Sequence, residues 1–274
     1  MAYQSDLGTD PLIIDDSNAS RFVEQWRDEG KTFGGIDRDY KVAPFGSASK
    51  PLFEIEEIPR SKWADRIKEL DETKGHPDDW RIAMDVPILD QNGYGYCWMY
   101  GVVGAMMTCA AMTGQPVPHL NPFPTAFRGK GGRNQGGWGE EALRYIDQWG
   151  LVEESLWPAH EAKMSNWQRQ EVVANAKLTA AVERLELPPN QFSALMSALL
   201  HKYPRPVGMG LPWWGHYVYG CRAMALPDGR FGVKAPNSWT IDWGKDGCVV
   251  LEEGKATAAE QIMFQRVRPY TLAA

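Results

Sequence analysis

The sequence predicts an α+β protein of two lobes, a helical half followed by an antiparallel β half, with an N-terminal arm in front. Three observations carry this. Between Cys97 and Leu200 apolar residues recur at helical spacing. After Arg205 they fall in short runs rich in β-formers, parted by glycine and proline turns. Before Asp78 only short apolar groups occur among Asp, Gly, Pro and Ser.

The arm, residues 1–77, holds Leu12-Ile13-Ile14, a short helix around Ser20 to Glu29, and a second helix near 61–73. In that second helix Ser61 can cap the start, Trp63, Ile67 and Leu70 share one face, and Gly75 can end it. So polar a segment should bury little on its own and be ordered by something else. From Asp78 the texture changes. Cys97 to Met112 reads as a buried helix ended by Gly114, and EEALRYIDQWG as a helix with Ala142, Tyr145, Ile146 and Trp149 inward. A polar helical stretch follows near Ser165 to Lys177, and then NQFSALMSALLHKY resumes the apolar period. RPVGMGL, HYVYGCRAMAL, RFGVKAPNSW (entered by a Pro227-Asp228-Gly229 turn) and GCVVLEE read as strands of one sheet.

At 274 residues the chain can bury a large core without disulfides. A net charge of -6 argues against a general grip on nucleic acid or an anionic membrane. The uncharged stretch Cys97 to Gly114 is too short, and too poorly flanked by Lys and Arg, for a membrane span. MAYQSDLGTDPLIIDD has neither a cationic nor a sustained apolar signal region, so the expected location is cytoplasmic or virion-associated. Cys97, Cys109, Cys221 and Cys248 form no C-x-x-C pair and no zinc-ligand spacing with the histidines. GKGGRNQGG lacks the order of a phosphate loop, so neither a metal nor an organic cofactor is expected.

A thiol attacks a carbonyl only as thiolate, which needs an imidazole and benefits from a helix N-terminus. Cys97 lies where the glycine-rich NGYGY meets an apolar helix, whereas the other three cysteines read as small buried hydrophobes. A thiolate at Cys97 should react with iodoacetamide at mildly acidic pH ahead of the other thiols.

Three blocks in chain order resemble the papain family of cysteine peptidases: QNGYGYCW, NQGGWG, and WGHYVYG with APNSWTIDWGKDG. The resemblance covers about Asp78 to Gln265 and implies a papain-like domain over 78–274. It implies Cys97 as nucleophile, His216 as base, Asn237 as its orienting partner, and Gln91 as an oxyanion donor beside the backbone N–H of Cys97. Gly136 and Gly137 would pair with extended substrate, Trp98 would flank the cleft, and Trp239 would shield the Asn237–His216 bond. His76, His119, His160 and His201 lack such company and read as surface or loop residues.

Departures from the family pattern are also visible. Tyr94 and Asn134 stand where the family has a disulfide, Tyr96 replaces a small residue beside the nucleophile and would narrow the cleft mouth, and Thr240 replaces a glycine. The arm holds the place of a propeptide without the family's inhibitory-helix motif. Two functions follow: a cysteine peptidase cleaving peptide or isopeptide bonds, or a papain-fold structural module of an assembly such as a phage virion, its arm docking on partner subunits. Docking is slightly favoured for the arm. An inhibitory arm would instead run through the cleft beside Gly136-Gly137.

Overall fold

The computed structural model describes residues 11–112, 119–179, 182–227 and 229–267. The helix Cys97–Ala111 is its axis. Nearly every residue in it is buried, because Val102, Val103, Met106 and Met107 face packed elements on all sides. Helices Phe123–Gly129 and Gly139–Trp149 pack on one flank, and strands His216–Gly220 and Glu260–Val267 on the other. Gly101 and Gly104 let the strand His216–Gly220 approach, since a Cβ at either would meet the Tyr217 or Tyr219 ring at 2.7 or 2.6 Å. The Gly114 expected to end the helix and Asp228 of the expected turn lie outside the described residues.

The β half is two four-stranded sheets rather than one. The first runs Ile13–Ile14, Cys248–Glu252, Phe231–Pro236, Arg222–Ala225; the second runs Val182–Leu187, Glu260–Val267, Val207–Leu211, His216–Gly220. All pairings in the two are antiparallel except that of Ile13–Ile14. HYVYGCRAMAL therefore splits at Cys221, where the chain leaves one sheet for the other. Val182–Leu187 and Glu260–Val267 have no counterpart in the sequence reading. Their alternation is masked by Arg184, Glu186, Glu260 and Gln265, polar residues that are nevertheless buried. Among the described residues no helix is long and apolar enough to cross a membrane.

The arm is ordered by the rest of the chain and joins its core. Helix Ala19–Asp28 buries Phe22, Val23 and Trp26, and helix Trp63–Thr73 buries Trp63, Ile67 and Leu70, in one cluster with Leu195, Leu199, Trp214 and Val218. The partners lie more than a hundred positions downstream, so the arm's own sequence could not reveal them. His76 is also fully buried, at the start of helix Pro77–Ala83 with Nε2 3.2 Å from Asp71 Oδ1, and is not a surface residue.

Trp26 lies 4.9 Å from Trp214, 5.6 Å from Trp239 and 5.5 Å from Trp243, ring centre to ring centre. Trp26→Ala should cost about 3–5 kcal/mol, as for a fully packed aromatic. Guanidinium denaturation followed by circular dichroism measures it, and a loss below about 1 kcal/mol would show that the arm unfolds independently of the core.

Candidate active site

Cys97 is the first residue of the central helix, so its side chain sits at the positive end of the helix dipole. His216 opens its strand and Asn237 follows strand Phe231–Pro236. These elements bring His216 Nε2 to 2.7 Å from Asn237 Oδ1. Asn237 Oδ1 also accepts the Ser238 backbone N–H at 2.7 Å, which fixes the amide's orientation. His216 Nε2 must then carry the proton, leaving the Nδ1 lone pair free. Nδ1 is buried and has no hydrogen-bond partner among the described residues. Trp239 lies 4.7 Å and Trp214 4.8 Å from the imidazole, ring centre to ring centre, an aromatic wall around the pair.

Gln91 is 1% exposed and held by Ser238, whose Oγ donates to Gln91 Oε1 at 2.6 Å and whose backbone oxygen accepts the Gln91 N–H at 2.9 Å. Ser238 thus touches both Asn237 and Gln91. The sequence reading assigned it no role, although it is the middle residue of the Asn-Ser-Trp block.

Trp98 is fully buried. It underlies Gly137, whose Cβ would meet its ring at 2.8 Å. Tyr96 is buried as well, packed among Tyr94, Trp98 and Phe123 with its hydroxyl donating to Arg133 O at 2.8 Å. It belongs to the core and does not narrow the mouth. Asn134 Oδ1 accepts the Gly95 N–H at 2.6 Å, tying the NGYGY loop to the glycine-pair loop by a hydrogen bond, and all four cysteines are free. Thr240 adopts φ 75°, the left-handed region that favours the glycine it replaces.

The arm runs through this site. Gln91 Nε2 donates to Thr32 O at 3.0 Å, Gly137 N–H to Gly34 O at 2.9 Å, Ile36 N–H to Gly137 O at 3.0 Å, and Gly35 N–H to Gly215 O at 2.9 Å. Gly35 pairs with Gly137 in parallel. A Cβ at Gly34 would overlap the Gly95 carbonyl, and one at Gly35 would meet the His216 backbone at 2.6 Å, so only bare backbone fits. Phe33 closes the front, edge-on to His216 and Trp239.

Beneath this cover Cys97 and His216 are both 0% exposed. Burial pushes the Cys97 thiol up to about 12, opposed only in part by hydrogen bonding from the backbone of Tyr217, Gly34 and Trp98. Burial likewise takes His216 down to about 4, against the hydrogen bond to Asn237. In the closed form the pair is a neutral thiol and a neutral imidazole, so the expected early iodoacetamide reaction does not apply to it. Burial raises the thiols of Cys109, Cys221 and Cys248 too.

The comparisons with known proteins agree with this architecture. No protein-family model matches the sequence, and no curated protein matches it. Solved structures do. Bromelain from Ananas comosus, in complex with the E64 inhibitor, is 18% identical with a TM-score of 0.55, covering 68% of this chain and 96% of its own. The fold is that of papain-like cysteine proteases. Digestive procathepsin L 3 of Tenebrio molitor larval midgut is 15% identical with a TM-score of 0.55, covering 91% of this chain and 88% of its own. The ragweed pollen allergen Amb a 11, a cysteine protease in its proform, is 16% identical with a TM-score of 0.55, covering 93% of this chain and 97% of its own. The two latter structures extend over most of the arm as well as the papain-like lobes.

The depressed His216 pKa has a definite sign in stability. Above pH 6.5, its ordinary value, the imidazole is neutral folded or unfolded and contributes nothing. Between pH 6.5 and about 4 the unfolded chain takes up a proton that the folded chain refuses, so stability falls as pH falls. The full loss is about 3 kcal/mol. Urea unfolding of wild type and His216→Gln at pH 7.5 and 4.5 measures it: the wild type should lose more over this interval. Equal losses would mean that His216 titrates normally in the closed fold.

Proposed function

We propose that this protein is a cysteine peptidase held latent by its own N-terminal arm. The observation that carries this reading is the His216–Asn237 hydrogen bond, which leaves an unpartnered, buried Nδ1 lone pair in the same covered site as a helix N-terminal cysteine. An imidazole so oriented is a base waiting for a proton.

With the cleft open to water and substrate, both groups lose the desolvation that keeps them neutral, and the proton of Cys97 passes to His216 Nδ1. The thiolate attacks a peptide carbonyl. The developing oxyanion receives hydrogen bonds from Gln91 Nε2 and the Cys97 backbone N–H. Collapse of the tetrahedral adduct expels the amine with the proton held by His216, leaving an acyl-enzyme that water then hydrolyses. Gly136 and Gly137 would offer the substrate the backbone edge that Gly34–Ile36 now occupies. In the closed form the Gln91 amide donates to Tyr94 O at 2.6 Å and to an arm carbonyl, that of Thr32, at 3.0 Å, so its second hydrogen is taken by the arm. Geometry of this kind favours an occluding arm over a docking one, and residues 1–77 act as prosegment to a peptidase domain at 78–274.

A structural module, for instance in a virion, is the second reading; the depth at which Trp26 and Trp63 are packed favours it. The two part on what happens when the cover is loosened. Gly34→Ala forces a Cβ against the Gly95 carbonyl, a strain of about 1–3 kcal/mol. It should raise iodoacetamide labelling of Cys97 roughly tenfold and raise turnover of a denatured casein substrate. Adding Cys97→Ser should abolish that turnover with little change in melting temperature, and Asn237→Ala should leave a measurable remainder. Gln91→Ala should lower kcat roughly a hundredfold with KM little changed. Labelling that rises without any turnover would support the structural module.

A further inference from the structure

Beneath the glycine pair lies an ion pair that the mechanism does not use. Lys130 follows helix Phe123–Gly129, and Glu141 stands in the first turn of helix Gly139–Trp149. Lys130 Nζ is 2.6 Å from Glu141 Oε2, with the two side chains 11% and 8% exposed. The ammonium also lies 4.8 Å from the centre of the Trp98 ring, and Glu141 Oε1 accepts the Tyr145 hydroxyl at 2.8 Å. GKGGRNQGG, which lacks phosphate-loop order, thus supplies the cation of this pair as well as the glycines above it.

Stability does not call for a charged pair here. Enclosed ions give up their hydration, and apolar side chains of the same shape usually stabilise a protein as well or better. What the pair adds is a fixed distance between two helix ends. Gly137 rests directly on it: a Cβ at that position would meet Glu141 Oε2 at 2.5 Å and the Trp98 ring at 2.8 Å. Trp98 is itself held, its Nε1 donating to Gly95 O at 3.1 Å. Both polar groups of the Gly137 backbone are taken by the arm, the N–H donating to Gly34 O at 2.9 Å and the carbonyl accepting Ile36 N–H at 3.0 Å. Gly137 is thus gripped between the arm's backbone and the surface made by Glu141 and Trp98.

We propose that Lys130 and Glu141 are positioning residues for the substrate, their ion pair setting the level of the Gly137 edge with which an extended peptide pairs. In the closed form the same pair sets that level for the arm. The substrate half rests on the peptidase reading, whereas the arm half rests on the contacts alone. Without Lys130 the carboxylate is left with the Tyr145 hydroxyl and, at 3.9 Å, the exposed Arg144, so it turns toward solvent and Gly137 loses its support. Backbone pairing is sensitive to such a shift, because hydrogen bonds weaken steeply away from their geometry.

Two measurements on the full-length chain test this. The first is amide hydrogen exchange of Lys130→Met, an uncharged side chain of similar length, read residue by residue by NMR. Gly137 N–H should exchange at least ~10-fold faster than in wild type, while Val102 and Met106 in the central helix keep their protection. The second uses the Gly34→Ala background and compares kcat/KM for a tetrapeptide amide, long enough to pair with Gly137, with that for a single-residue ester, which is too short. Lys130→Met should lower the tetrapeptide-to-ester ratio at least ~10-fold, and Lys130→Arg should restore most of it. Lys130→Met combined with Glu141→Gln leaves no unpaired buried charge and carries both tests if the single variant does not fold. Unchanged exchange at Gly137, or a rise shared with Val102 and Met106, overturns the proposal, as does an unchanged ratio. Faster exchange at Gly137 alone, without turnover of either substrate, keeps the positioning pair and removes the peptidase.

Discussion

At Gly34-Gly35 two backbones meet with no room for a side chain between them, and the rest of the closed site depends on that approach. Because Gly34 lies against Gly95 and Gly35 against His216, the covering segment can drop far enough to pair with Gly137 and reach the Gln91 amide. A bulkier strand would ride higher and admit water to the sulfur. Water excluded at this point is what sets the protonation of the two groups below, since a thiolate–imidazolium pair needs solvent or dipoles to bear its separated charge. The helix dipole and the backbone around Cys97 supply some of that compensation, but less than burial removes. Cys97 and His216 are therefore both neutral beneath the arm.

The cover is secured at both ends by unlike forces. On its N-terminal side helix Ala19–Asp28 is fixed by apolar burial against the tryptophans that wall off His216. On its C-terminal side Arg38 is fixed by charge in a setting that holds two carboxylates. Apolar burial is indifferent to pH in the physiological range, whereas the charged clamp is not. The segment between them is held by apolar packing before it and by a buried ion pair after it.

The fold class was legible in the sequence, whereas the packing that joins distant segments was not. Cys97, His216, Asn237 and Gln91 stood out because short blocks in a fixed chain order are specific even when each is brief, and the structure brings His216 and Asn237 into hydrogen-bond contact. What the sequence concealed was everything that depends on distant partners. Glu186 and Arg184 interrupt an alternating pattern, so Val182–Leu187 does not read as a strand until Arg38 and Asp147 are seen to pair with them. Trp26 reads as an isolated aromatic in a polar arm until Trp214, Trp239 and Trp243 gather round it. Tyr96 and Trp98 looked like cleft residues because they flank the nucleophile, yet as neighbours of a helix start they turn inward on either side of it.

The four-tryptophan cluster has an optical consequence. Three of its rings, Trp214, Trp239 and Trp243, belong to the lobe that carries His216 and Asn237, and the fourth, Trp26, is contributed by the arm at ring separations of 4.9–5.6 Å. Indoles this close exchange excitation and share one buried environment. Were Trp26 drawn away from the other three rings, tryptophan emission should change over the background of the chain's eight other tryptophans, with no label attached.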